Sequence, residues 1–175
     1  MEYLTLASGE LGTAWTAQVR ALLWDAFDDF TEDDWQHGLG GLHVLAVDGS
    51  EVIGHASVVP RAVYLDERSV HAGYVEGVAV AAARRRVGVG AAVMRQIGDI
   101  ITATYPLGVL STSEHPFYER AGWQRWQGPT LVREGGRLHR TRDEDDGIMV
   151  LPVGGALDLD LSSAIAVDAR SGDDW

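Results

Sequence analysis

The 175-residue sequence predicts an α/β (α+β) protein with a mixed central β-sheet and helices on both faces. Three observations predict it. Apolar residues recur at helical spacing near the N-terminus. Three apolar-rich segments separated by turn residues follow. Near Val87 the period switches from strand to helix, and it returns to strand after Pro106.

Each element follows from its residues. Glu2 to Leu6 is a short candidate edge strand. From Ala14, the set Trp15, Val19, Leu22, Leu23, Ala26 and Phe30 predicts an amphipathic helix. Thr31 followed by Asp34 three residues later has the pattern of a capping box, so a second short helix starts there. Leu42 to Val47, Val52 to Val63 and Val70 to Val80 form an antiparallel meander, joined by turns at Asp48-Gly49-Ser50 and Asp66-Glu67-Arg68. Val89, Val93, Ile97 and Ile101 share one helical face that runs to about Thr104, and Leu107 to Leu110 is the next strand. Thr112 or Ser113 caps a short helix with Pro116 in its first turn, where a missing N–H does no harm, and Gly122 lies near its end. Trp123 to Trp126, Thr130 to Val132 and Ile148 to Leu151 read as late strands. The last twenty residues read as a weakly periodic acidic tail.

Composition excludes several chemistries. All 14 basic side chains are arginine, so no lysine serves as a P-loop cation or a Schiff base. The absence of cysteine removes disulfides, thiolate metal sites and a cysteine nucleophile. With 26 acidic residues the formal net charge is −12, which disfavours nucleic acid and anionic membranes as partners. A cationic partner and simple solubility both fit that excess. No apolar run reaches the roughly 18 residues that cross a bilayer, and no signal peptide is evident, so the expectation is a cytoplasmic protein. The histidines form no helical His-x-x-x-His pair, and Asp143-x-Asp145-Asp146-Gly147 lacks the closing Glu of a calcium loop, so no metal is expected.

The chemistry-bearing segment is Gly73-Tyr74-Val75-Glu76-Gly77-Val78-Ala79-Val80, followed by Arg84-Arg85-Arg86-Val87-Gly88-Val89-Gly90. A strand ends and a basic, glycine-containing turn opens a helix. Unpaired N–H groups at a helix start suit a pyrophosphate, and glycines let phosphates approach the backbone.

This context resembles the GNAT superfamily of N-acetyltransferases, whose acyl-coenzyme A loop reads Arg/Gln-x-x-Gly-x-Gly/Ala; here it is Arg85-x-x-Gly88-x-Gly90. Tyr118-Glu119-Arg120-Ala121-Gly122-Trp123 is similar to the second mark of that superfamily. A narrower resemblance covers nearly the whole chain. Asp29-Phe30-Thr31-x-x-Asp34-Trp35-x-His37-x-Leu39-Gly40-Gly41, Trp126-x-Gly128-Pro129-Thr130, Asp143-Glu144-Asp145-Asp146-Gly147 and Arg170-x-Gly172-Asp173-x-Trp175 look like the aminoglycoside 2′-N-acetyltransferases. Arg86 and Val87 stand where that family often has Gly and Gln.

The resemblance implies a GNAT fold, with the acyl-CoA loop between a central strand and the following helix. It implies one N-acetyltransferase domain over residues 1–175, with 155–175 closing the acceptor pocket, and a homodimer. The implied reaction carries acetyl from acetyl-CoA to the 2′-amino group of an aminoglycoside, giving resistance. The implied acceptor residues are Asp29, Asp34, Glu76, Gly77, Ser111, Glu144, Asp145 and Trp175. The implied holders of acetyl-CoA or CoA are Val78, Ala79 and Val80, with Arg85, Arg86, Val87, Gly88, Val89 and Gly90 around the pyrophosphate.

Physical chemistry supports the same assignment. An aminoglycoside carries several ammonium groups and needs carboxylates; six lie between Asp25 and Asp34 and four between Asp143 and Asp146. The attacking amine must lose a proton, and Glu76, alternating with Tyr74, Val78 and Val80, is the candidate base, directly or through water with the Trp175 carboxylate. Tyr118 is the candidate acid for the departing thiolate, and backbone N–H groups near Val78 polarise the thioester carbonyl. Two other readings stay open: an acetyltransferase of another cationic amine or cell-wall sugar precursor, and a non-catalytic sensor that binds CoA and aminoglycoside.

Overall fold

A computed structural model describes residues 1–155 and 157–175. The chain clusters into two compact units, Met1–Val59 with Val75–Ile100, and Pro60–Tyr74 with Ile101–Trp175. Two long strands, β3 (Glu51–Leu65) and β4 (Arg68–Val80), contribute residues to both.

In the first unit, β1 (Glu2–Ala7) pairs antiparallel with β2 (Leu42–Asp48), which pairs antiparallel with the first part of β3. β1 is the edge strand expected. α1 spans Gly12–Ala26 and α2 spans Glu32–His37. The helical spacing extended α1 to Phe30, but Phe27 turns to extended backbone with φ −126° and ends the helix. Phe30 still reaches the core, from the connecting loop, with its ring 4.7 Å from Trp24 and 5.8 Å from Phe27. The capping box forms as expected: the Thr31 hydroxyl oxygen accepts from Asp34 N at 3.3 Å, and Asp34 Oδ2 accepts from Thr31 N at 2.7 Å. α1 and α2 bury Val19, Leu22, Leu23 and Trp35 against Leu45, Val47, Val52 and Ala79 of the strands. α3 (Val89–Thr104) begins in this unit. A Cβ at Gly54 would lie 2.9 Å from Val89 Cγ1, so glycine there admits the start of α3 close against β3.

In the second unit the strand order is β6-β9-β5-β4-β3-β10-β7-β8. The ranges are β5 Leu107–Ser111, β6 Gln124–Arg125, β7 Thr130–Glu134, β8 Arg137–Arg140, β9 Ile148–Pro152 and β10 Ile165–Asp168, with α4 at His115–Glu119. β4 runs parallel to β5 through Gly73↔Gly108 and Tyr74↔Val109, and β10 runs parallel to β7; the remaining recorded pairs in this unit are antiparallel. The sheet is therefore mixed.

Three local expectations change. The segment 155–175 is not merely a tail, because β10 lies inside it and inserts between β3 and β7, with Ile165 and Val167 fully buried; Ala156, within the same segment, lies outside the described residues. β8 was not expected, since Arg137–Arg140 is exposed throughout and has no apolar alternation. It forms because Gly135 and Gly136 both adopt positive φ, 54° and 77°, the geometry of a two-residue hairpin turn. The N-cap of α4 is Glu114; Thr112 Oγ1 accepts from Glu114 N at 2.9 Å, one step before the helix. No helix among the described residues is long and apolar enough to cross a membrane.

Candidate active site

Within the first unit the functional segment is the end of β4. Glu76, Gly77, Val78 and Val80 are half-buried, while Ala79 is buried. Gly77 has φ +58° inside the strand, the left-handed geometry that glycine takes at a bulge. The two-residue alternation expected from Tyr74 to Val80 is therefore interrupted at Gly77. Side chains of β3 bond the carbonyls of this step. Ser57 Oγ donates to Glu76 O at 3.3 Å, and His55 Nδ1 lies 2.7 Å from Gly77 O.

After Val80 a single 3-10 turn (Ala82–Arg84) leads to the exposed turn 85–88 and then α3. Arg86 and Gly88 both have positive φ, 65° and 92°, and no heavy atom lies within 4 Å of a Cβ built on Gly88. The first α3 hydrogen bond runs from Ala92 N to Gly88 O at 3.0 Å, so the N–H groups of Val89, Gly90 and Ala91 precede the helical ladder. That is an anion-accepting helix start. The three consecutive arginines differ in what they do. Arg84 pairs with Asp48 at 2.6 Å, and Arg85 Nε donates to Val80 O at 3.1 Å, tying the loop to its own strand. Arg86 is exposed.

The acidic run of this unit is also divided. Glu32 is paired with Arg20 at 2.7 Å, and Asp34 caps α2 through one carboxylate oxygen. Asp29 is exposed in the turn between α1 and α2.

Within the second unit, Tyr118 of α4 is buried, its ring 6.3 Å from Trp123 and 4.9 Å from Phe117. Burial pushes its hydroxyl up to about 12, tempered by a hydrogen bond with Thr112 and reinforced by Glu114, so the phenol stays protonated at neutral pH. Ser111 Oγ donates to Glu144 Oε2 at 3.5 Å. Burial, and then the nearby Asp173 charge, raise the Glu144 carboxyl above the ordinary range. Asp145 moves the other way. Arg140 grips both its oxygens at 2.6 and 2.5 Å, and Thr130 N and Oγ1 donate at 3.1 and 2.9 Å, which holds it far below the usual carboxylate value.

Trp175 is buried in the same unit, with Nε1 donating to Thr141 Oγ1 at 3.1 Å and its main-chain N to Asp173 Oδ1 at 3.1 Å. Arg170 Nη2 donates to Trp175 O at 3.0 Å, and Arg61 Nη2 donates to Asp174 O. The Arg61 and Arg170 guanidiniums lie over Tyr74, at 4.7 and 5.6 Å respectively from its ring centroid. Ser111, Glu144, Asp145 and Trp175 thus cluster in the second unit, and Asp29, Asp34, Glu76, Gly77 and the 78–90 segment belong to the first. Sequence reasoning missed Arg140, Arg170, Arg61, Ser57, His43 and His55 as supporting residues. His43, His55, Ser57 and Arg61 carried a signal, as polar residues inside the apolar strand segments 42–47 and 52–63, and Arg170 stood in the terminal motif; Arg140 carried none.

Comparison with known proteins identifies the class. Residues 11–126 match the acetyltransferase (GNAT) domain family. The chain belongs to that family. It is 38% identical over 161 residues to a protein of Mycolicibacterium fortuitum named aminoglycoside 2′-N-acetyltransferase, covering 89% of this chain and 83% of that one. The fold is similar to a GNAT family N-acetyltransferase of Escherichia coli in complex with CoA, with TM-score 0.69 and 16% identity over 95% of this chain and 88% of that chain. A GNAT family acetyltransferase of Brucella melitensis in complex with acetyl-CoA gives TM-score 0.62 and 16% identity, over 94% of this chain and 95% of that one.

Proposed function

We propose that this acetyltransferase carries the acetyl group of acetyl-CoA to the 2′-amino group of aminoglycosides, and that this reaction protects a cell from those drugs. The observation that carries the reading is the 38% identity, across most of both chains, to a relative named for that reaction. The local chemistry supports it. The residues present fit the co-substrate: the α3 start offers the N–H groups of Val89, Gly90 and Ala91, Gly88 leaves room beside them, and the basic turn adds Arg85 and Arg86 with Val87 between the arginines and Gly88. Val78, Ala79 and Val80 would hold its pantetheine part through strand backbone. When bound, it supplies an activated acyl group as a thioester.

The residues then divide the proton work. Glu76, half-buried beside the Gly77 bulge, accepts the proton that the 2′-ammonium must shed before its nitrogen can attack. Tyr118, protonated throughout the working range, gives a proton to the departing thiolate as the C–S bond breaks, and the second proton lost by the newly acylated nitrogen restores the phenol. Asp29, Asp34 and Glu144 receive acceptor ammonium groups, with Ser111 orienting Glu144 and Trp175 contributing to the acceptor side. Asp145 enters as a support for the 140–145 segment, since Arg140 and Thr130 already engage its oxygens. A dimer in the cytoplasm belongs to the same reading, and sedimentation of the purified protein tests the dimer.

Release of free coenzyme A decides the reaction. Tobramycin has a 2′-amine and kanamycin A a 2′-hydroxyl. Release with tobramycin and little with kanamycin A is expected. Equal rates would remove the 2′ assignment. No release with either would return the acceptor to another amine, or the protein to a sensor.

A further inference from the structure

Two histidines that the acetyl-transfer chemistry does not use lie in the interior of the first unit. His43 of β2 and His55 of β3 are 0% and 2% exposed. Buried polar rings need hydrogen-bond partners, and these have them on both sides. The contacts form one line: Gly40 N to Ser8 Oγ at 2.9 Å, Ser8 Oγ to His43 Nε2 at 2.9 Å, His43 Nδ1 to His55 Nε2 at 3.0 Å, and His55 Nδ1 to Gly77 O at 2.7 Å.

Valence fixes the direction of that line. A carbonyl oxygen only accepts, so His55 Nδ1 carries the proton given to Gly77. A neutral ring has one N–H, so His55 Nε2 accepts and His43 Nδ1 must donate. His43 Nε2 is then an acceptor, and the Ser8 hydroxyl hydrogen goes to it, leaving the Ser8 oxygen to accept from Gly40 N. Gly41 O, which accepts from Ser8 N at 3.1 Å, also lies 3.2 Å from Ser8 Oγ, a longer alternative for the hydroxyl hydrogen than His43 Nε2 at 2.9 Å. With both rings neutral, the contacts from His43 through His55 to Gly77 run in one direction only. Burial holds both rings neutral: desolvation lowers His43 to about 4, and desolvation with the neighbouring His43 lowers His55 to about 3.

We propose that Ser8, His43 and His55 are positioning residues, forming a one-way buried hydrogen-bond chain that locks the Glu76–Gly77 step of β4 to the turn between α2 and β2. The chain begins at Gly40, just after the helix that carries Asp34, and ends on the carbonyl beside Glu76. It therefore sets the separation between the proposed base and the proposed acceptor carboxylate of the same unit. Gly77 in a left-handed conformation turns a carbonyl onto His55, and a ring nitrogen supplies its donor from the neighbouring strand. The kinetic consequence rests on the function proposed above; the hydrogen-bond chain does not.

Two measurements on the full chain test it. In protein labelled with 15N-histidine, two of the six rings should be neutral with the proton on Nδ1 across about pH 5 to 8, where an unperturbed ring titrates. An Nε2-protonated form at His43 or His55, or titration of either in that range, would overturn the chain. His55→Leu should shift the Gly77 carbonyl resonance, and His55→Asn, whose amide can still donate, should return it part of the way. With an accepted aminoglycoside, His55→Leu should lower kcat/KM about tenfold or more while the KM for acetyl-CoA stays near that of the wild type, with partial rescue in His55→Asn. An active wild type with an unaffected His55→Leu variant would overturn the positioning role and leave the function standing. A wild type inactive on every aminoglycoside would overturn the function, and the histidine and Gly77 resonances would still decide the chain.

Discussion

Replacing Gly77 by alanine puts the bulge itself to the test. The residue has φ +58°, where a Cβ approaches the following carbonyl oxygen at a cost of about 1–2 kcal/mol. The new methyl would lie 3.3 Å from Leu23 Cδ2 and 3.5 Å from His55 Cε1. The leucine can yield by a few tenths of an ångström, so backbone geometry dominates the cost. For a chain of this size that corresponds to a melting temperature lower by about 2–8 °C. The functional loss should be larger than the stability loss, because the chain regains an allowed φ by moving the peptide that follows Glu76. A displacement near 1 Å at a reacting group lowers kcat/KM by about a hundredfold. Thermal unfolding and coenzyme A release measured on Gly77→Ala and Gly77→Asn separate the two effects. Asparagine tolerates the left-handed region, so it should fall between glycine and alanine in both assays. An alanine variant with wild-type melting and wild-type turnover would refute the bulge and the role assigned to it.

Three further outcomes are expected. Tyr118→Phe should reduce kcat on the order of a hundredfold with acetyl-CoA binding by calorimetry unchanged, and undiminished kcat would remove the acid role. Glu144 has a raised value in the fold, so its protonated form is the one folding favours; that advantage is present below its unfolded value and lost as pH rises through the folded one. Glu144→Gln should therefore melt higher than wild type at pH 7, lose that gain on acidification toward about pH 4, and bind the cationic acceptor more weakly. Gly128→Ala would place a methyl 1.7 Å from Ser163 O, a main-chain atom that also accepts from Trp126 Nε1 at 2.9 Å. A loss of about 3 kcal/mol or more in denaturant unfolding, with faster amide exchange in β10, is the expected result.

The legible parts of the molecule were those written in local periodicity and punctuation. Thr31 and Asp34 closed their capping box as spelled, the turns at Gly49 and Asp66 joined the meander, and Val89 opened α3 after the glycine turn. Phe30 misled, because its spacing matched the α1 face while its chain had already turned at Phe27. β8 was hidden because an exposed hairpin arm has no apolar pattern; its signal was the Gly135-Gly136 pair. β10 was hidden for the opposite reason. Four residues within an acidic, serine-rich stretch become a buried strand only because β3 and β7 pair with them on either side.

The candidate site divides along the same line. The residue types of the cofactor turn, the tyrosine of α4 and the carboxylate runs were readable from the chain alone, since they depend on spacing of a few residues. The chain alone also determined the charge excess, without saying which acids remain available. Tertiary contacts decided that. Arg140 engages Asp145, Arg20 pairs with Glu32, and burial makes Glu144 reluctant to ionise. They also decided that two histidines with no apparent task line up between Ser8 and Gly77. A hydrogen bond between side chains 12 residues apart, or to a carbonyl 22 residues away, has no local signature; it exists only once strand pairing sets the register.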